Sequence, residues 1–158
     1  MSKEEKTNLL KFLSPFATDV QEKSLWLRNF IWELYPQTNE LVFDNYNDVV
    51  ISWSSTEKVE HAFCAIAVDR TSNLVRLGFY GGIELADPEG LLTGSGRRYR
   101  YIQVENTGDL PADYIAGLLN KAWINALKKV NDYNQIVKGK TIVKSVSATK
   151  SRQEPRMG

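Results

Sequence analysis

The chain has 158 residues, 42% of them hydrophobic, with all four tryptophans before residue 124, which allows one sizeable core and favours one domain over a disordered or multidomain chain. No apolar run approaches the roughly 18 residues a membrane span needs, and the opening MSKEEKTNLL is charged where a signal peptide would be apolar, so a cytoplasmic protein is expected. A single cysteine excludes an internal disulfide, and a single histidine excludes the usual Cys/His metal sets; any metal must lean on carboxylates.

Charge is unevenly spread. Residues 135–158 hold six Lys/Arg and one Glu, net +5, while residues 1–134 hold 14 Lys/Arg against 18 Asp/Glu, net −4. This predicts a mildly acidic domain over 1–134 and a basic, mobile tail over 135–158. The tail has no aromatic residue on which a base could stack, so contact with nucleic acid is not expected.

In chain order, Lys3–Leu13 carries a short helical stripe of Leu9, Leu10 and Leu13. Asp19–Tyr35 is a stronger helix, with Leu27, Phe30, Ile31 and Leu34 on one face, Glu22, Lys23, Arg28 and Glu33 on the other, and Pro36 as its stop. Trp26 and Trp32 cannot both share the face of Leu27 and Leu34, so one is expected to be exposed or to line a groove. Five β-rich runs follow at Glu40–Phe43, Val49–Trp53, His61–Val68, Leu74–Tyr80 and Tyr99–Val104. Turn residues 44–48 and 69–73 join the first four as antiparallel hairpins. AFCAIAV has small or apolar residues on both alternations, as in a central strand covered on both faces, part of which could instead be flanked by a protein partner. Pro111–Tyr133 is a last helix, with Ile115, Leu118, Leu119, Ala122, Ala126 and Val130 in a stripe; Thr141–Val146 could add a short strand. The expected fold is α+β: helix, helix, five strands, helix, with the helices packed on a mainly antiparallel, curved five-stranded sheet.

The segment LADPEGLLTGSGRRYRYIQV, residues 85–104, gathers three glycines and three arginines. It lacks the Walker and dinucleotide spacings, and it leads into a strand, so no helix N-terminus is there to cradle phosphate. Asp87-Pro88-Glu89-Gly90 fits a type I turn. Arg97, Arg98 and Arg100 form a basic edge suited to an anion, a partner's carboxylates or water. His61 and Cys64 would point to opposite faces of a strand, which argues against a nucleophile pair, and Cys64 reads as a small buried hydrophobe. If the third and fourth runs form a hairpin whose paired residue numbers sum to about 142, His61 faces Gly81. Glu57, Glu60, His61, Glu84, Asp87 and Glu89 could then gather at one sheet end, a set suited to a hard or borderline cation such as iron; otherwise they form a solvated acidic rim.

The helix LWLRNFIWELYPQTNE, the strands HAFCAIAV and NLVRLGFYGGIELADPEGLLTGSGRRYRYIQV, the closing LLNKAWINAL and the tail IVKSVSATKSR resemble the YdhG-like domain family of unknown function. Gly78, Phe79, Gly82, Leu85, Asp87, Pro88, Gly90, Leu91, Leu92, Gly94, Gly96, Arg100 and Ile102 match its most recognisable motif. The resemblance implies a small cytoplasmic α+β domain, mostly bacterial and of unassigned biochemistry. One branch of that family is described as a frataxin-like intracellular iron chaperone that catalyses no reaction of its own. The expected function is therefore a non-catalytic binding domain, with iron weakly held by Glu60, His61, Glu84, Asp87 and Glu89 and passed to an acceptor protein. The alternative is a partner- or small-ligand-binding module that uses the Gly/Arg loop 85–100 through Arg97, Arg98 and Arg100. An enzyme would need a deep pocket with convergent polar groups.

Overall fold

The helical and alternating periods of the sequence resolve into two layers in a computed structural model, which describes residues 9–132, 139 and 141–151. Helix α1 (residues 9–13) buries Leu9 and Leu13; the expected helical residues 3–8 lie outside the described residues. Helix α2 (Thr18–Leu34) closes when the Tyr35 N–H bonds the Ile31 carbonyl, and Pro36, with no N–H of its own, cannot continue it. The sheet is built from β1 (Asn39–Asp44), β2 (Asp48–Ser54), β3 (Ala62–Asp69), β4 (Val75–Phe79) and β5 (Arg100–Gln103). Helix α3 (Ala112–Leu127) follows, and then β6 (Thr141–Val146).

The strand order is β5-β4-β3-β2-β1-β6, with β5 and β6 as edges. Four neighbouring pairs are antiparallel, and β6 runs parallel to β1. The expected five strands are thus six in a mixed, open sheet, because 141–146, counted with the tail though given as a short strand that could be added, pairs along β1. The chain beyond β6 also docks. The Ser147 and Ser151 N–H groups bond the Asp44 and Tyr46 carbonyls, and Lys150 Nζ lies 3.1 Å from Asp44 Oδ2. Residues 152–158 of the expected mobile tail lie outside the described residues.

Residues directly opposite across a ladder share a face of the sheet. Val42, Ile51, Ile66 and Leu77 form one such row, and Val49, Val68 and Val75 the next. Both rows join Val20, Leu27 and Ile31 of α2 and Ile115, Leu118, Leu119, Ala122 and Ala126 of α3 in one core. A register shift between Trp53 and Ser54 leaves Phe63 unpaired with β2, and Phe63 packs edge-on to Tyr35 and Trp123 within that core. Burying these side chains is the main stabilising term, at about 25 cal/mol for each Å² removed from water.

One helix face differs from the expectation. Leu34 is 42% exposed, whereas Arg28, assigned to the polar face, is buried at 1%. The reason is Glu40 of β1, itself fully buried. Its carboxylate accepts from Arg28 Nε at 2.5 Å and Nη2 at 2.7 Å, from Trp32 Nε1 at 3.0 Å and from Thr141 Oγ1 at 3.1 Å. Four donors on one carboxylate make a buried charge tolerable, and they join α2, β1 and β6. At the other end of β1, Asp44 is paired with Arg70 and with Lys150. Arg70 also lies over the Phe16 ring, 5.5 Å from its centroid.

Candidate functional site: the sheet face opposite the helices and the loop beside it

The alternation that points away from the core produces a second surface. Across four strands, Ser52 faces Ala65, Ala65 faces Gly78 and Gly78 faces Tyr101. The adjoining row runs Val50, Ala67, Arg76 and Gln103. None of these residues belongs to the core that α2 and α3 cover. Small side chains on β2, β3 and β4 leave room for rings to lie over them. A Cβ built on Gly78 would sit 1.7 Å from Tyr99 Oη, so the Tyr99 ring occupies the space above that glycine. Tyr80 spans the same row, with its Oη 3.0 Å from Ser52 Oγ.

Tyr80, Tyr99 and Tyr101 form a continuous series, with centroids 5.6 and 6.5 Å apart, and the Arg76 guanidinium lies 4.5 Å from the Tyr101 ring centre. All three rings and Arg76 are half-buried. Burial pushes the Tyr80 and Tyr99 phenols above their usual range, a Ser52 hydrogen bond partly opposing the rise at Tyr80. Both remain neutral hydroxyls at physiological pH. At the far end Asp48 faces Asp69, and each is held locally: Asn45 Nδ2 donates to Asp48 and Ser72 to Asp69. The result is an aromatic platform with one guanidinium, chemistry for a flat, partly apolar partner.

The segment 85–100 borders this platform through Tyr99. Its turn forms as expected, with the Gly90 N–H bonding the Asp87 carbonyl at 3.0 Å and Gly90 at φ +66°. The Asp87 side chain serves the loop. Its Oδ1 accepts from the Leu91 N–H at 3.1 Å and from the Tyr114 hydroxyl of α3, and its Oδ2 accepts from the Leu92 N–H at 2.8 Å. Desolvation is the largest single influence and pushes this carboxyl up, but the bonds from Tyr114, Leu92, Leu91 and Gly90 together outweigh it and hold the carboxyl below the usual range. A depressed folded value means the latch contributes fully above the unfolded pKa, about 3.9, and is lost as pH falls through the folded value. The Leu91 and Leu92 amide resonances should therefore titrate with a midpoint below about 3.9 and lose that titration in Asp87→Asn; a midpoint at or above it would show that no latch exists.

Arg100 ties the other limb, its Nη1 donating to the Gly96 carbonyl at 2.5 Å and to the Tyr99 carbonyl at 2.7 Å. Arg97 and Arg98 are exposed, and no ion pair holds either of them among the described residues. Of the three arginines singled out by sequence, one fastens the loop and two face solvent.

The acidic set is dispersed. Glu60 and His61 lie in a 3-10 turn, Val59–His61, before β3 rather than on a strand, and the β3–β4 pairing ends at Cys64–Phe79. The hairpin register falls one residue later than expected, with Val68 facing Val75. His61 Nδ1 is 2.8 Å from Thr56 Oγ1. Glu84 ends another 3-10 turn, Gly82–Glu84, and Glu60, Glu84 and Glu89 are exposed. Asp87 is turned onto its own loop and α3. Among the described residues no group of three or more His, Cys, Asp or Glu side chains is placed to hold a metal ion. Cys64 is fully buried, and burial raises its thiol pKa well above the usual value, which leaves it an unreactive core residue.

Sequence reasoning gave no surface role to Arg76, Tyr80, Tyr99 and Tyr101, and it used Gly78 only as a motif match. The available signal was the two-residue spacing of 76, 78 and 80 and of 99 and 101, which places each set on one face of a strand. Comparison with protein-family models, curated proteins and solved structures finds no match.

Proposed function

We propose that this chain is a non-catalytic binding domain of the YdhG-like kind that receives a partner protein on the sheet face opposite α2 and α3, with Arg97 and Arg98 engaging the partner's carboxylates. One observation carries this reading. The central strand β3 is apolar on both alternations, yet on one side Ala65 and Ala67 lie in rows with Gly78 and Arg76 that are outside the helix-covered core. Aromatic rings and arginine are the side chains that interfaces favour at their centres. A cytoplasmic setting belongs to the same proposal, supported by the resemblance. Among the described residues no helix is long and apolar enough to cross a membrane.

Iron delivery is the second reading, supported by the resemblance and by the exposed carboxylates of Glu60, Glu84 and Glu89. Without a converging ligand group among the described residues, it takes the form of a weakly held, largely hydrated ion passed to an acceptor protein.

One pair of measurements separates the two. Affinity capture with wild type and with the triple variant Arg97→Ala, Arg98→Ala, Tyr101→Ala should show a protein lost from the variant while its circular dichroism is unchanged; equal capture by both rejects the partner face. Calorimetric titration of ferrous iron should show saturable binding that disappears in Glu60→Gln, Glu84→Gln, Glu89→Gln if the second reading holds. Equal binding by both forms, or none, rejects it.

A further inference from the structure

Helix α2 presents Asp19, Glu22, Lys23 and Trp26 at three- and four-residue spacing, so they share one stripe. Facing that stripe is the chain that leaves β5, Glu105 to Thr107, across a groove of about 330 Å³. Trp26 is 41% exposed, unusual for so large an apolar ring. It is also held in place, stacked on Phe30 with centroids 5.5 Å apart and planes 7° from parallel. Among the described residues two cation–π contacts form, Arg70 over Phe16 and Arg76 over Tyr101, and neither covers Trp26.

The groove is charged as well as aromatic. Among the described residues its walls carry the carboxylates of Glu22 and Glu105 against the ammonium of Lys23. The negative face of an indole and a carboxylate rim attract a cation in the same direction, and a low-dielectric wall strengthens both. The volume suits one or two side chains rather than a folded domain.

We propose that the groove between α2 and residues 105–107 captures lysine or arginine side chains from a basic segment of a partner protein. The occupant is fixed by charge complementarity: the Trp26 ring that lines the groove takes the cation, and Glu22 and Glu105, both exposed, take its N–H groups. This site is distinct from the tyrosine face, whose loop arginines would repel the same ligand.

The test is a titration of a blocked Gly-Lys-Arg-Lys-Gly peptide into the isotope-labelled full chain at low salt. Saturable shifts of the Trp26 indole N–H and of the Thr107 amide are expected. Trp26→Leu should abolish the Thr107 response, and Glu22→Gln with Glu105→Gln should weaken binding at least about fivefold. All three positions are exposed, so these variants should fold, as an unchanged spectrum elsewhere will show. Arg97→Ala with Arg98→Ala should bind the peptide as wild type does, which separates this site from the loop. No saturable shift, or equal binding by a charge-neutralised peptide or by the glutamine variant, overturns the proposal. Tetramethylammonium binding as tightly as the peptide would overturn it in favour of a free organic cation.

Discussion

Glu40→Ala should lower the unfolding free energy by about 3–5 kcal/mol, the usual cost of leaving a buried charge without its partner. The measurement is chemical denaturation, read as a lower midpoint at an unchanged slope. The effect is large because Arg28 loses both of its bonds to the carboxylate while remaining at 1% exposure, and Trp32 and Thr141 lose their acceptor at the same time. Replacing both charges, Arg28→Met with Glu40→Leu, should recover much of the loss, since apolar groups of similar volume often match or exceed a buried ion pair in stability. If the single variant lost less than about 1 kcal/mol, the value typical of exposed pairs, the buried-charge account would be wrong.

Gly78→Ala is the second substitution expected to have a large effect. The new Cβ would enter the Tyr99 ring, 1.7 Å from its Oη and 2.1 Å from Cζ, so the ring must leave the platform. Overpacking of this kind costs about 1–3 kcal/mol. Removing the ring first makes the prediction specific. In a Tyr99→Ala background, Gly78→Ala should become neutral or slightly stabilising, because alanine loses less backbone freedom than glycine. Such a reversal of sign is a coupling between neighbours, and thermal unfolding of the four proteins measures it. Additive effects would mean that Tyr99 does not rest on Gly78. Partner capture should fall with Gly78→Ala alone.

The parts of this fold that periodicity could reveal were readable. Leu27 and Ile31, and Ile115 to Ala126, mark buried helix stripes because a helix shows one face to one environment. The strands were legible for the same reason. Arg28 was misplaced because the rule that charges lie outside holds only until a partner is buried with them, and Glu40 lies 12 residues away on a different element. Strand β6 was read only as an optional addition to a basic tail: its burial falls from Thr141 to exposed residues 144–146, so an edge strand resembled a solvated tail. The acidic set failed because it depended on register. His61 sits before the strand, and a hairpin displaced by one residue changes which side chains meet. The tyrosine platform needed pairing partners on three strands, and a linear pattern does not contain them.

The carboxylate of Glu40 also orders events in time. Arg28 and Trp32 precede it by 12 and 8 residues, but its last donor, Thr141, follows 101 residues later. At roughly 5–20 residues per second of synthesis, the nascent chain waits about 5–20 seconds between making that acid and making the strand that completes its shell. In the folded sheet β6 covers what would otherwise be the open edge of β1, and an unpaired edge is the kind of surface on which chains mispair. Strand β6 therefore acts as a closing clasp on an acid buried long before it in the chain.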